Sequence, residues 1–404
     1  KSVQFSKNSQ LNSIEKEAFA QSSIESISIP SQVHQIGERA FQDCENLKFV
    51  EFPEDSELKS IDKYALSFTW VENIKIPANV REIGERAFSN CKNLKKIEIP
   101  ENSKLKIIEK NAFFNSTIEE INFPSRLKDL KDGWCSYTNK LTHIEVSPNN
   151  PYLKYVDNKF IASKTDECEY DTLLFARRDI TEIMIPKYIK QIGSYAFYEC
   201  ENLKKVEIEE DSKLEIIGKE AFPGTSIETL KIPSSVREIG DRAFYWCRRL
   251  KTIELAEDSK LRVFNKEIFF YSSIERLYIP PSIEEMKLGW NSFTLQLNNI
   301  TVSPESTHFL IDDKLLIGKL SENSHEFDVL VFASRDIFQV FIPSFIKQIG
   351  PLAFSWCKNL DSIYFANGSK LQLIDEEAFS YSSLRKISIP NCVDQICYEA
   401  FASC

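Results

Sequence analysis

Histidine and cysteine carry most nucleophilic, general-base and metal chemistry in proteins, and here neither is spaced for it. His34, His143, His308 and His325 are scattered, with no H-x-x-x-H or H-E-x-x-H pair to set two imidazoles on one helix face. The 10 cysteines include no C-x-x-C, so zinc has no ligand pair. G-x-S-x-G and the phosphate-cradling G-x-x-x-x-G-K-[ST] are absent, and only 11 glycines are available for such loops. Acidic turns such as Glu54-Asp55-Ser56-Glu57-Leu58, Glu210-Asp211-Ser212-Lys213-Leu214 and Glu257-Asp258-Ser259-Lys260-Leu261 suggest calcium at first sight. Each supplies too few oxygens and lacks calcium-loop spacing, so they read as Asx or Ser turns. No catalytic residue, metal ligand or cofactor site emerges, and a non-enzymatic protein is expected.

Composition narrows the class further. The 404 residues are 42% hydrophobic and 27% charged, which is the balance of a folded chain, and no apolar run reaches the ~18 residues of a membrane span. A formal charge of −10 opposes nucleic acid, whose phosphates need a positive surface.

The elements that would position any site are repeats. Ala-Phe or a variant recurs with its second member at Phe19, Phe41, Leu66, Phe88, Phe113, Trp134, Phe197, Phe222, Phe244, Phe269, Trp290, Phe354, Phe379 and Phe401. Spacings alternate between 22 and 25, shorten to 21 before Trp134 and Trp290, and then jump by 63 or 64. Phe41, Phe197 and Phe354 thus hold equivalent places in a longer unit. Repeats that cannot bury an apolar face alone do so by stacking, so one solenoid is expected over residues 1–404. Each repeat ends in L-x-x-I-x-I, the alternation of a half-buried strand, and prolines such as Pro77, Pro100 and Pro233 stop many of these strands. Gly37, Gly84, Gly193, Gly240 and Gly350 read as turns, and A-F-x-x-C as one tight helical turn. The predicted fold is an α/β repeat solenoid with a parallel β-sheet face and short helical turns.

Residues 151–185 and 308–342 break the rhythm and match each other. Each reads as a β-hairpin inserted in the stack, two strands joined by an exposed polar loop at Ser163–Asp171 or Lys319–Asp328. The cysteines follow the repeats. Cys44, Cys91, Cys200, Cys247, Cys357 and Cys404 share a slot that holds Ser22, Thr69, Ser116, Thr225, Ser272 and Ser382 in alternate repeats. Two repeats separate neighbouring thiols by roughly 10 Å, beyond the ~7 Å reach of a disulfide, so these are read as small buried side chains. Cys135, Cys168, Cys392 and Cys397 stand outside the slot, and an unpaired state is expected for Cys392 and Cys397.

Binding residues are sought on the strands' outward column. It runs Ser28, Glu51, Lys75, Glu98, Asn122, Glu145, Met184, Glu207, Lys231, Glu254, Tyr278, Thr301, Phe341, Tyr364, Ser388. Glu51–Lys75–Glu98 and Glu207–Lys231–Glu254 would form charge ladders. Tyr278, Phe341 and Tyr364, joined by Phe338, are the candidate partner-binding residues, since clustered exposed aromatics anchor interfaces. The alternative is that the second hairpin folds over and buries them.

The motif I-P-x-x-V-x-x-I-G-x-x-A-F-x-x-C-x-x-L, seen from Ile232 through Gly240, Phe244 and Cys247 to Leu250, resembles the BspA-like, Treponema-type leucine-rich repeats. The resemblance covers essentially the whole chain, and the Lys- and Asn-rich spelling is most like members from parasitic protists. Leu66, Gly133-Trp134, Ile268-Phe269 and Cys397 depart from the pattern. The resemblance implies a curved leucine-rich-repeat stack without catalytic residues. It also implies an adhesin-like role at the cell surface or in secretion, binding a host-cell, matrix or other protein or a glycan. The other reading is a cytoplasmic scaffold lying along a large assembly, favoured by unpaired cysteines and mild acidity. Asn115, Asn299 and Asn367 open acceptor sequons for glycosylation. The chain starts at Lys1 and stops at Cys404 in mid-repeat, and a fragment of a longer protein is expected.

Overall fold

Alternate burial along L-x-x-I-x-I does produce strands, and parallel pairing of successive strands produces ladders. The computed structural model describes residues 1–6, 9–164, 169–319 and 326–404. Cys168, His325 and the middles of both predicted polar loops lie outside the described residues. Two units are present: residues 1–181 with 191–202, and residues 182–190 with 203–404.

In each unit the coils form a β-solenoid with two parallel ladders. The first unit carries one outward-facing ladder through Asn73–Lys75, Lys96–Glu98, Glu120–Phe123 and His143–Val146. Ile74, Ile97, Ile121 and Ile144 point inward and are buried, while Lys75 and Glu98 face solvent. A second ladder of two-residue strands runs from Ser13–Ile14 through Gln35–Ile36, Ser60–Ile61, Glu82–Ile83 and Ile107–Ile108 to Asp129–Leu130. The second unit repeats the arrangement in Thr229–Lys231, Thr252–Glu254, Arg276–Ile279 and Asn299–Val302. Between the ladders lies the aromatic column. Phe222 stacks on Phe244 at 5.5 Å and Phe354 on Phe379 at 5.1 Å, with the neighbouring alanines Ala243 and Ala378 fully buried.

The expected helical turn is not there: A-F-x-x-C is an arc of successive β-turns. Around Phe41, the N–H groups of Ala40, Gln42 and Cys44 donate three residues back, to Gly37, Arg39 and Phe41. Those of Arg39, Phe41 and Asp43 donate instead to the carbonyls of Lys63, Ala65 and Ser67 on the next coil. A helix would keep all these donors for itself and leave the coils unlinked. Splitting them alternately places two residues of each arc in the left-handed region, four apart, as at Arg39 (φ 56) and Asp43 (φ 57).

That frame also moves two repeats by one residue. Gly133 and Tyr137 bracket Cys135, and Gly289 and Phe293 bracket Asn291, so Trp134 and Trp290 occupy the alanine slot. Accordingly Phe113 N–H donates to Trp134 O at 2.8 Å, just as Phe88 N–H donates to Ala112 O. The 21-residue spacing disappears, because the coil period there is again 22. The glycines are needed for a different reason than a turn. A Cβ on Gly84 would lie 2.8 Å from the Asp62 carbonyl carbon, and one on Gly240 only 2.6 Å from Lys219 N. Coil backbones touch there, and any side chain would separate them.

Each insertion holds three antiparallel strands rather than two. In the first, Leu153–Val156, Phe160–Ser163 and Thr172–Ala176 form a meander. Asp157 and Asn158, both at positive φ, make the tight turn that divides the stretch read as a single strand. Its last strand then pairs in parallel with Gln191–Ile192, taking the place of a coil in the second ladder. Phe309–Asp312, Leu315–Lys319 and Phe327–Ala333 do the same beside Gln348–Ile349. A buried arginine follows each meander. Arg178 lies over the Phe175 ring at 4.1 Å, and its guanidinium donates to Thr138 O before the insertion and Ala196 O after it, both at 3.1 Å. Arg335 repeats this over Phe332, donating to Ala353 O at 3.3 Å, and burial pulls its pKa down. Among the described residues neither arginine has a carboxylate within ion-pair distance.

Two outcomes are expected in urea unfolding. Gly240→Ala destabilises by about 2 kcal/mol or more through the backbone clash, whereas Gly368→Ala, open on all sides at φ 73, costs about 1 kcal/mol. Arg178→Ala costs about 3 kcal/mol, because the Thr138 carbonyl loses its side-chain donor, the Ala196 carbonyl keeps only the Ala176 N–H, and the Phe175 face loses its cover; an unchanged midpoint would remove the arginine from the account of the insertion.

Candidate functional site

The predicted aromatics lie in the second unit. Strand Gln339–Ile342 pairs in parallel with Ser362–Phe365, with Phe341 opposite Tyr364. Parallel register sets same-face side chains one rung apart, and the two rings stack at 4.9 Å and 21°. They are not buried by the insertion: Phe341 is 70% exposed, Tyr364 44% and Phe338 59%. Phe338 precedes the strand, and its carbonyl accepts Asp361 N–H at 2.8 Å. Tyr278 sits elsewhere, half-buried in strand Arg276–Ile279 opposite Thr301. Thus Phe341 and Tyr364 form a pair, Phe338 flanks its strand, and Tyr278 stacks on none of them. Of the expected charge ladders, Lys75 reaches Glu98 at 4.0 Å, and Lys231 lies opposite Glu254 without an ion pair. Such exposed contacts contribute at most about 1 kcal/mol.

A second aromatic surface was missed. The later left-handed position of each arc holds Gln21, Asp43, Phe68, Asn90, Asn115, Tyr137 and Glu199 in the first unit. In the second it holds Gly224, Trp246, Tyr271, Phe293, Trp356, Tyr381 and Ser403. Gly and Asn suit this backbone, whereas a bulky side chain there costs roughly 1–2 kcal/mol. Five successive positions of the second unit are nevertheless aromatic. Tyr271 stacks on Phe293 at 4.4 Å, Phe293 meets Trp356 at 4.9 Å, and Trp356 stacks on Tyr381 at 4.7 Å. An open groove of about 250 Å³ runs along Phe293, Trp356 and Tyr381, lined also by Lys266, Leu352, Glu376 and Glu377; Trp246 and Tyr271 lie outside it. The sequence signal existed, an aromatic two residues beyond the repeat Phe, but without the left-handed backbone it had no meaning.

The thiols alternate with hydroxyls as expected. Ser22 Oγ meets Cys44 Sγ at 3.3 Å, Thr69 Oγ1 meets Cys91 at 3.4 Å and Thr225 Oγ1 meets Cys247 at 3.5 Å. Each thiol also donates to a carbonyl of the preceding coil, Cys91 to Leu66 O at 3.1 Å and Cys247 to Phe222 O at 3.2 Å. All nine described cysteines are free, Cys392 and Cys397 included. Burial pushes the Cys91 thiol up to about 11 and those of Cys135 and Cys247 up to about 12. His34 Nε2 contacts Glu57 at 2.9 Å on the surface. Among the described residues no three His, Cys, Asp or Glu side chains cluster to hold a metal. No helix there is long and apolar enough to cross a membrane. Of the sequon residues, Asn367 and Asn299 are exposed, while the Asn115 amide donates to Asn90 Oδ1 at 2.6 Å and accepts from Lys92.

Comparison with known proteins gives a consistent picture. The model of the BspA-type leucine-rich repeat region matches residues 12–142, 171–301 and 314–404, in six copies. No curated protein matches the chain. Among solved structures, the pneumococcal vaccine antigen PcpA is similar at 20% identity and a TM-score of 0.59, over 95% of this chain and 78% of that one. A leucine-rich cell surface protein from Faecalibacterium prausnitzii A2-165 is similar at 20% identity and 0.53, over 88% and 83%. A leucine-rich repeat protein from Eubacterium ventriosum ATCC 27560 follows at 20% and 0.51, over 98% and 81%. These likenesses show the fold; they are bacterial and lend no support to the protist spelling.

Inertness is the chemistry expected of the thiol ladder. An aromatic disulfide reagent with peptide mapping should label Cys392, Cys397 and Cys404 in the native protein and spare Cys91 and Cys247 until denaturant is added. The pH dependence follows in sign. Below the unfolded thiol pKa of about 9 these two cysteines are neutral in both states and their contribution is intact. Between pH 9 and about 11 for Cys91, or 12 for Cys247, only the unfolded thiol ionises, so stability falls by about 1.4 kcal/mol per thiol per pH unit. Cys91→Ser and Cys247→Ser should flatten that slope in alkaline denaturation; an unaltered slope would contradict the burial.

Proposed function

The chain belongs to the BspA-type leucine-rich repeat family, and from that premise we propose that it is a non-enzymatic protein-interaction module with an adhesin-like role at the cell surface or in secretion. The observation that carries the reading is the stacked, exposed pair of Phe341 and Tyr364 on an open sheet face. Aromatic rings offer large apolar area at little entropic cost, and monomeric proteins rarely leave them clustered in water without a partner. Phe338 widens the patch, and Tyr278, on another sheet of the same unit, completes the four residues of the proposed contact set. The ligand is a protein or a glycan, and the negative charge argues against nucleic acid. Two similar structures support a surface location by their descriptions, a vaccine antigen and a cell surface protein.

The free thiols favour a second reading, an intracellular scaffold bound along a large assembly, because secreted proteins more often oxidise their cysteines. Surface biotinylation of intact cells and glycosidase treatment of the native protein separate the two. Labelling, with a mobility shift assigned to Asn115, Asn299 or Asn367, supports the first; protection from both supports the second.

Phe341→Ala and Tyr364→Ala should each weaken adhesion of the purified protein to cells or immobilised matrix extract by about tenfold, with the melting temperature nearly unchanged. Tyr278→Ala should have the smaller effect, since its ring is half-buried and unstacked. Full adhesion by both alanine variants would exclude this face.

A further inference from the structure

We propose that the groove along the left-handed aromatic column of the second unit is a separate docking surface, and that it takes lysine or arginine side chains of a basic polypeptide segment. Backbone cost is the first ground. At Trp246, Tyr271, Phe293, Trp356 and Tyr381 the chain keeps bulky rings where φ is between 55° and 62°. The same slot holds Gly224, Asn90 or Asn115 on other coils, so the arc itself does not ask for a ring. Strained residues retained against a cheaper alternative point to a use outside folding.

Ring chemistry is the second ground. The protein already lays its own cations on arc aromatics. Arg248 sits over Trp246 at 4.5 Å, Lys358 over Trp356 at 4.9 Å, and in the first unit Arg39 and Arg86 lie over the Tyr64 ring at 5.6 and 5.7 Å. Arc rings therefore receive guanidinium and ammonium groups, and a bound cation replaces Lys358, which lies over Trp356 and at 5.9 Å over Tyr381, or takes the ring faces it leaves open.

Charge complementarity is the third, and it selects the occupant. Glu376 and Glu377 line the groove beside Trp356 and Tyr381, and neither has a basic partner within ion-pair distance among the described residues; the lysine of the same lining, Lys266, is paired with Glu267 at 3.8 Å, so carboxylates outnumber it three to one. Burial together with the Glu399 and Glu376 carboxylates raises the pKa of Glu377, as expected of acids awaiting a counter-charge. The hydroxyl oxygen of Ser355, 2% exposed and without a hydrogen-bond partner, belongs to the same lining and can accept from a bound donor. Aromatic faces flanked by unpaired carboxylates discriminate for a cation and against an anionic or neutral chain.

The test uses the whole chain and a fluorescein-labelled ten-residue peptide of alternating arginine and serine, followed by anisotropy at low and physiological salt. A matched peptide with citrulline for arginine keeps the shape and removes the charge. The arginine peptide is expected to bind at least about tenfold more tightly than the citrulline peptide. Trp356→Asn should weaken it about fivefold to tenfold, and Glu376→Gln with Glu377→Gln by about fivefold with a shallower salt dependence. Asn suits the left-handed backbone, so the Trp356→Asn protein should melt no lower than about 2 °C below the parent; Tyr381→Asn gives an independent second variant. Phe341→Ala should leave peptide binding unchanged, which keeps this result distinct from that for the sheet face. Equal binding by all variants would mean diffuse attraction to a chain of charge −10 and would overturn the proposal. So would equal binding of the citrulline peptide, or displacement by a neutral oligosaccharide.

Discussion

Everything in either unit depends on how the arc divides its backbone donors. Alternate N–H groups close turns within the coil, and the others reach the next coil's carbonyls, as Phe41 does to Ala65 and Phe244 to Ile268. Apolar burial favours many stackings, but only one axial offset lets all these donors find acceptors, and an unmet buried donor is expensive. Residue choice follows from that offset. Alanine precedes the ring at a fully buried position, where a small side chain leaves room for the stacked phenylalanines. Glycine at 84 and 240 is demanded by backbone contact across coils rather than by its own dihedral angles. Most of the hydroxyls and thiols that end the arcs complete the pattern, bonded to a carbonyl or to each other as at Thr69 and Cys91, while Ser116 and Ser272 are buried without a partner among the described residues.

An interruption of the stack shows the same constraint from the other side. Where an insertion replaces a coil, the last arc before it meets a β-strand through Trp134 or Trp290, while its later left-handed side chain still reaches the next arc, Tyr137 to Tyr198 at 4.6 Å and Phe293 to Trp356 at 4.9 Å. The bulk is then redistributed: Trp134 fills the alanine slot, Cys135 the ring slot, and the indole contacts Phe175 of the meander at 5.3 Å. Ala176 N–H of the meander takes over the donation to Ala196 O that a coil would have made, and the Arg178 guanidinium adds a second donor there while also serving Thr138 O across the gap. A buried cation without a carboxylate is a costly substitute. Its recurrence at Arg335 shows that the problem is geometric and has been met twice in the same way.

Much of this was legible in the amino acids because burial repeats. The strands, the stacked phenylalanines and the alternation of Cys with Ser or Thr follow from period-two burial and a coil of fixed length; the same period put Phe341 and Tyr364 on the outward face, but whether the second insertion covered them was a tertiary matter that only the structure decides. The arc was misread as helical because A-F-x-x-C contains nothing that forbids a helix; only bonds to another coil decide against one, and those are not local. The Trp134 register was lost for a related reason, since an aromatic beside a small residue looks the same in either order. Asp157-Asn158 hid a third strand because polar residues between apolar runs read as part of an alternating strand.

The two aromatic surfaces differ in what they reveal. Phe341 and Tyr364 stand on strands, where aromatic residues are favoured and their presence costs nothing in the backbone. Their exposure alone marks them. Trp356 and Tyr381 stand where the backbone prefers Gly or Asn, and every ring there is held against a local penalty. An aromatic on an exposed strand costs the backbone nothing, whereas five successive left-handed positions filled with rings carry a repeated backbone penalty that something must offset. Stacking between the rings returns part of the cost, about 0.5–1.5 kcal/mol for each pair. Contacts to Tyr245 and Phe270, and the Arg248 and Lys358 cations over Trp246 and Trp356, return more of it, so packing holds the rings against the strain while leaving their outer faces for a partner. The arc is therefore the surface on which sequence and backbone disagree, and a disagreement of that kind is the more informative sign of a binding role.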